Sequence, residues 1–298
     1  MGIESLLVSS NRNTLHVETA EILRHDAHDA HQYVMRIHAP LIAAAARPGS
    51  FVHINCDVAL PLRRPMSIMR TDPNAGWIDI LYKEHGLGTA LLAKREAGEH
   101  LDLIGPIGRP FKQTNYRNKP LLIGGGVGIP PMIFLAEYMK DSAFDLTPLV
   151  LIGSEAPYPF TPRPSRIIVP GIPPGAIAAM PLLEDWEIAS RLASGQEYAG
   201  CYQGMVTELA HKWLTSLDAR VRAQVEIFAC GPTPMLHAVA DLAKEFSLPC
   251  EISLEEYMAC AVGGCAGCTV RIHDNGEDAM KRICVDGPVF EASTVVFS

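Results

Sequence analysis

The chain has 298 residues, 48% of them hydrophobic and 19% charged, which suffices for two domains and a small module with real cores. A net charge of −8 with no basic run excludes a protein held to nucleic acid by phosphate contacts. No apolar run approaches the ~18 residues of a membrane span, and Met1-Gly2-Ile3-Glu4-Ser5 lacks the charged and long apolar regions of a secretory leader.

Residues 14 to about 112 read as β-rich. Tyr33 to His38, Phe51 to Ile54 and Trp77 to Tyr82 are short alternating runs punctuated by Gly and Pro turns, the pattern of a small antiparallel barrel. His25, His28 and His31, interleaved with Asp26 and Asp29, have the look of a metal cluster. A hydrated turn between two barrel strands is the better reading of that stretch. Thr89 to Lys94 is predicted as a short helix within the barrel.

The pattern changes at Pro120. Leu121-Leu122-Ile123 is a buried-type strand, and Met132 to Lys140 is helical in pattern. Strands are predicted over Leu146 to Ile152 and Val225 to Cys230, with a helix over Met235 to Phe246. Strands alternating with helices point to a parallel sheet. The fold class is therefore β plus α/β: an antiparallel barrel over residues 1–115, a parallel-sheet domain over 116–250, and a cysteine module over 251–298. Seven prolines between Pro157 and Pro174 preclude regular helix there. That stretch is predicted as a surface excursion, a tolerated insertion more than a lid or partner contact.

Several segments carry chemistry. In Arg64-Pro65-Met66-Ser67, an Arg offers a bidentate fork to pyrophosphate, and a Ser hydroxyl can bond a flavin ring nitrogen. Alone, the segment is as well explained as a strand end. Leu81-Tyr82-Lys83 ends a strand before Gly86-Leu87-Gly88-Thr89 opens a helix, whose N-terminus favours an anion and which Thr89 could cap. Gly124-Gly125-Gly126-Val127-Gly128-Ile129-Pro130-Pro131 joins a strand to a helix and is placed to hold a phosphate. It is not G-x-G-x-x-G, which would need Gly in place of Ile129. Cys230-Gly231-Pro232 ends a second strand at the same sheet edge, where nucleotides bind in open α/β sheets; an inert thiol is the plainer account of Cys230. Glu155 is placed to accept the ribose hydroxyls of NADH and to repel the phosphate of NADPH, although an exposed loop Glu is also common.

Cys260, Cys265 and Cys268 follow C-x4-C-x2-C, and Cys284 follows after fifteen intervening residues. This is the spacing of a plant-type [2Fe–2S] site. Structural zinc sites usually show paired C-x2-C knuckles instead. Gly263, Gly264 and Gly267 are expected to give the loop its positive φ angles and bring N–H groups to the sulfurs. Cys56, Cys201, Cys230 and Cys250 are scattered, with no disulfide framework. Free thiols and a cluster suit a reducing cytoplasmic setting.

In this order, Arg64-Pro65-Met66-Ser67, Gly86-Leu87-Gly88-Thr89, Gly124 to Pro131 and Cys230-Gly231-Pro232-Thr233-Pro234-Met235 resemble the ferredoxin–NADP reductase superfamily. Leu254-Glu255-Glu256-Tyr257-Met258-Ala259-Cys260 and Arg282-Ile283-Cys284-Val285-Asp286-Gly287-Pro288-Val289-Phe290 resemble the electron-transfer subunits of class 1B dihydroorotate dehydrogenases. The resemblance implies FAD in the barrel, with Arg64 and Gly88-Thr89 on its phosphates. Pro65, Met66 and Ser67, with the backbone of Leu81, Tyr82 and Lys83, would line the isoalloxazine. It implies NAD(H) over Gly125, Gly126, Gly128, Gly231 and Pro232, with Ser67 and Cys230 at the reacting centre. It implies a [2Fe–2S] cluster on Cys260, Cys265, Cys268 and Cys284, which takes electrons one at a time from FAD. The implied partner is an FMN-containing dihydroorotate dehydrogenase catalytic subunit of pyrimidine biosynthesis. A reductase supplying a ferredoxin or an oxygenase would carry the same motifs. The Pro-rich excursion and the chain up to Gly204 run longer than that family leads one to expect.

Overall fold

The computed structural model describes residues 14–141, 144–274 and 276–297. The leader reading at residues 1–5 lies outside the described residues. Six strands, β1 (His16–His28), β2 (Gln32–His38), β3 (Phe51–Asn55), β4 (Arg64–Asp72), β5 (Trp77–Lys83) and β6 (His100–Ile107), close into a barrel in the order β1-β2-β5-β4-β3-β6. Every pairing in it is antiparallel. Closure removes exposed edges. Alternate residues fill the interior: Val52 and Ile54, Met66 and Ile68, Ile78 and Ile80, Leu101 and Leu103. Two short helices, α1 (Pro40–Ala45) and α2 (Gly86–Leu92), lie between its strands. The histidine stretch is not all turn, because β1 runs through His25 to His28 and only Asp29–His31 forms the turn.

The second domain holds β7 (Lys119–Gly125), α3 (Ile129–Asp141), β8 (Leu149–Gly153), β9 (Arg163–Pro164), β10 (Ala178–Ala179), α4 (Pro181–Asp185), β11 (Ala189–Ser194) and β12 (Tyr202–Gln203). It continues with α5 (Val206–Ser216), α6 (Ala219–Arg222), β13 (Val225–Cys230), α7 (Thr233–Glu245) and β14 (Cys250–Ser253). Then come β15 (Thr269–Asp274), β16 (Glu277–Arg282), α8 (Ile283–Asp286) and β17 (Val289–Glu291). The main sheet has seven strands in the order β12-β11-β8-β7-β13-β14-β17, parallel except for β17. Its central strands β8, β7 and β13 are buried on both faces, as in doubly wound sheets. Leu121, Ile123, Ile227 and Ala229 face α5 and α7, whereas Leu122, Phe228 and Cys230 face α3 and α4. Helix α3 starts three residues before the predicted Met132, because Pro130 and Pro131 fit a first turn, where no N–H is required.

The Pro-rich excursion forms only the two-residue ladder β9–β10, yet it is pinned. Glu184, 3% exposed, accepts from Ser165 Oγ at 2.9 Å and from the Arg166 amide at 2.7 Å. The Tyr158 hydroxyl donates to Ala193 O at 2.7 Å, and the Gln32 amide of the barrel donates to Pro157 O at 2.7 Å.

The cysteine segment is tied to both domains. After Cys284 the chain enters β17, which pairs with β14 and so closes the main sheet. Just before it, Gly287 O accepts from the Arg109 amide at 2.5 Å, and Pro288 packs where Gly108 leaves no room for a side chain. Among the described residues no helix is long and apolar enough to cross a membrane.

Candidate functional site

Strands β4 and β5 pair only from Ile68↔Ile80 onward to Asp72↔Trp77. Both continue past that point, β4 back to Arg64 and β5 on to Lys83, each held on its far side by β3 or β2. The ladder therefore opens between Arg64–Ser67 and Leu81–Lys83, and facing backbone groups are left for another partner. Arg64 opens β4. Its guanidinium lies over Gly88, where a Cβ would sit 2.8 Å from Nε, so the glycine makes room for the cation. These residues fit a flavin with a pyrophosphate: a slot edged by backbone donors and acceptors, and a cation at its mouth.

Thr89 differs from expectation. Helix α2 begins at Gly86, three residues earlier than predicted, so Thr89 lies within its first turn. Its hydroxyl accepts from the His85 amide at 2.6 Å and donates to His85 O at 2.9 Å. It secures the turn rather than standing at the helix start.

His25 is taken up inside the barrel wall, with Nδ1 2.7 Å from Arg95 O and Nε2 2.9 Å from the Tyr82 hydroxyl. His31 pairs with Glu84 at 3.7 Å. His25 and His31 thus turn to different partners.

The second set of residues meets at the carboxyl edge of the main sheet. Strands β7 and β13 are neighbours, and Gly124 pairs with Cys230. The chain leaves β7 to opposite sides, toward β8 and toward β13, so this is the switch point where open α/β sheets bind ligands. The turn Gly126–Gly128 crosses it and packs against β5 of the barrel. Gly128 lies so close to the Cys230–Gly231 backbone that any side chain would overlap it. Gly125 lies beside Pro232, with room for a Cβ only 2.5 Å from Met235 Sδ. Glu155 is exposed two residues past β8, at the same edge.

Sequence reasoning did not single out Glu255 for this site. Its Oε1 lies 3.8 Å from Cys230 Sγ, which is fully buried. Burial, then the nearby Glu255 carboxylate, hold the Cys230 thiol well above the usual range, so it carries its proton at neutral pH. Glu255 keeps some solvent contact as a residue, but its carboxyl is crowded enough that desolvation raises its pKa too. Its place next to Leu254 in the stretch leading to Cys260 was visible; its contact with Cys230 was not.

The four cysteines predicted as ligands come together in two pairs. Cys268 Sγ and Cys284 Sγ are 3.4 Å apart, and the free Cys260 and Cys265 thiols are hydrogen-bonded to each other. Among the described residues no three His, Cys, Asp or Glu side chains converge as they would on one ion. Two irons with two thiolates each fit this arrangement, whereas one tetrahedral zinc calls for four sulfurs around a point. The Cys265 amide points to Cys260 Sγ at 3.4 Å, and the Gly267 amide to Cys265 Sγ at 3.4 Å. Burial alone would raise the Cys260 thiol, but amides of Val262, Cys265 and Gly264 and the Cys265 thiol together bring it down to about 7. Burial and the Cys268 thiol push Cys284 up to about 12. The expected glycine conformations are only partly right. Left-handed backbone falls at Gly263 (φ 82°) but also at Ala261 (56°) and Ala266 (54°), and not at Gly264 or Gly267. Arg282 braces the loop through Gly263 O at 3.0 Å and Asp286 at 3.4 Å.

This barrel, sheet and switch point make up the ferredoxin reductase fold. One solved NADH-dependent reduced ferredoxin-NADP oxidoreductase, studied for flavin-based electron bifurcation, superposes with TM-score 0.73 at 25% identity, covering 94% of this chain and 90% of that one. The ferredoxin reductase in carbazole 1,9a-dioxygenase shares the fold with TM-score 0.59 at 19% identity, covering 79% and 67% of the two chains. The iron-sulfur cluster binding domain of dihydroorotate dehydrogenase B matches residues 255–296. The dihydroorotate dehydrogenase B (NAD(+)) electron transfer subunit of Geobacillus sp. (strain WCH70) is 31% identical over 283 residues, 94% of this chain and 98% of that protein. Its counterpart in Desulforamulus reducens is 32% identical over 267 residues, 89% and 92% of the two chains. The chain belongs to this family of dihydroorotate dehydrogenase B electron transfer subunits.

Proposed function

We propose that this chain links NAD(H) to an FMN-containing dihydroorotate dehydrogenase catalytic subunit, through FAD and a [2Fe–2S] cluster, in pyrimidine biosynthesis in the cytoplasm. The observation that carries this reading is the course of the chain after Cys284. One short segment, Gly287 to Glu291, touches the barrel at Gly108–Arg109 and completes the sheet beside β14. A cluster ligand is thereby fixed to both the flavin domain and the nucleotide domain. The cofactors supply hydride acceptance and one-electron relay, and the chain supplies binding, orientation and exclusion of water. Arg64 holds the FAD pyrophosphate beside Gly88. Pro65, Met66 and Ser67, facing Leu81 to Lys83, hold the ring in the open ladder. Gly125, Gly126 and Gly128 with Gly231 and Pro232 let the dinucleotide lie close to the backbone. Cys230, backed by Glu255 and holding its proton, would stand at this edge as a neutral group and not as a nucleophile.

Anaerobic protein is expected to hold about one FAD, two irons and two acid-labile sulfides, and to co-purify with an FMN-containing subunit. Cys265→Ser should lose the iron and the sulfide and keep the FAD, since the flavin residues lie in the barrel. Stoichiometric zinc without labile sulfide would overturn the reading.

A further inference from the structure

Helix α3 starts at the glycine turn of the nucleotide site and ends against the barrel. Phe134 of this helix is part of the barrel's own apolar core, while Ile133 and Ala136 share a second core with Met69 of β4. One turn further on, Glu137 receives Arg70 in a two-pronged bond: Nη2 to Oε1 at 2.5 Å, and Nε to Oε1 and Oε2 at 3.1 and 3.2 Å. Both side chains are largely buried, at 23% and 17% exposure.

Arg70 is aimed there by the shape of β4. The β4–β5 register shifts between Ile68 and Arg70, and such a bulge redirects the side chains beyond it. The guanidinium is then flanked by two rings, with Trp186 centred at 5.0 Å and Trp77 at 5.6 Å. Trp77 also carries Arg36, 3.5 Å from its ring centre, and Arg36 is locked to Asp79 by two bonds of 2.8 Å. A ladder of charges and rings thus runs from β2 and β5 through β4 into α3 and the end of α4. A bidentate Arg–carboxylate pair fixes angle as well as distance, which a lysine or a purely apolar contact would not.

The position of this tie gives it a role. Arg70 is three residues along β4 from Ser67, roughly 10 Å. Glu137 is eight residues along α3 from Ile129, roughly 12 Å. Each partner stands a short rigid lever away from one half of the reacting pair. We propose that Arg70 and Glu137 are positioning residues for hydride transfer, setting the distance between flavin and nicotinamide without touching either. The inference rests on the function proposed above. Small errors in donor–acceptor placement cost rate far more than they cost binding.

The test uses the holoprotein and stopped-flow mixing with NADH under anaerobic conditions. The readouts are the limiting rate of flavin bleaching, the dissociation constant for NADH, the FAD content and the long-wavelength charge-transfer absorbance of the reduced flavin–NAD pair. For Glu137→Gln and Arg70→Glu the limiting rate should fall roughly tenfold and the charge-transfer band should weaken. FAD content and NADH affinity should stay within about twofold of the parent. The exchanged pair, Arg70→Glu with Glu137→Arg, should recover most of the rate. Limiting rates unchanged in Glu137→Gln, or a rate loss matched by an equal loss of NADH affinity or FAD, would overturn the inference. A parent protein whose flavin is not reduced by NADH would sink the functional reading itself, which is a separate result.

Discussion

Arg64 and Gly128 show how single residues here act through space denied or granted to their neighbours. Arg64 reaches the mouth of the open ladder only because Gly88 lacks a side chain. A charge-assisted phosphate bond is worth roughly 1.5–3 kcal/mol, so Arg64→Ala should weaken FAD binding about tenfold or more, read as flavin released on dilution or dialysis. Unchanged flavin occupancy would reduce the Arg-Pro-Met-Ser segment to a strand end. Gly128 stands against backbone rather than a movable side chain, so no neighbour can yield to a substitution there. Glu155, exposed at the carboxyl edge past β8, belongs to the same scale. A carboxylate beside the adenosine ribose favours NADH over NADPH, whose extra phosphate it would repel. Glu155→Arg should therefore move the ratio of kcat/KM toward NADPH. Equal values for the two nucleotides in the parent would place Glu155 away from the ribose.

At the scale of elements, the cluster loop is both a ligand frame and an exposed surface. Cys260 is half-buried, Cys268 and Cys284 are buried, and Cys265, Ala266 and Gly267 reach solvent. Electron transfer outward requires a short path, so on the function proposed above the partner is expected to dock at this exposed rim. Ala266 carries no ligand and makes room for that approach. Ala266→Arg should leave NADH-to-dye reduction unchanged, because dyes take electrons from the flavin. Electron exchange with the FMN-containing subunit should drop strongly. Survival of both activities would move the docking face elsewhere. The Pro-rich excursion contrasts with this loop. Its prolines leave it only the short β9–β10 ladder, yet buried Glu184 holds the Ser165 hydroxyl and the Arg166 amide, and the excursion's own Tyr158 donates to Ala193 O of β11. Proline density reports what a segment cannot form and is silent on what holds it.

At the scale of the whole molecule, the sequence by itself determined the fold class and the spacing of the segments from which chemistry is expected. Local patterns carried β13, the barrel strands β2, β3 and β5, and the spacing of the four cysteines, because alternation, glycine turns and ligand spacing depend on near neighbours in the chain. Boundaries moved where a local rule had two solutions: α2 and α3 each began three residues early, once glycines and prolines were accommodated in first turns. Which alanines would take left-handed backbone around the sulfurs was equally undecided, since that is imposed by the convergence of the loop. Only the tertiary structure decided which distant residues meet. The opening of the β4–β5 ladder, Glu255 beside Cys230, the return of β17 to the main sheet and the Arg70–Glu137 tie all join residues far apart along the chain. Such pairings leave no periodic trace in a sequence, because each depends on how two separately specified surfaces come to rest against one another.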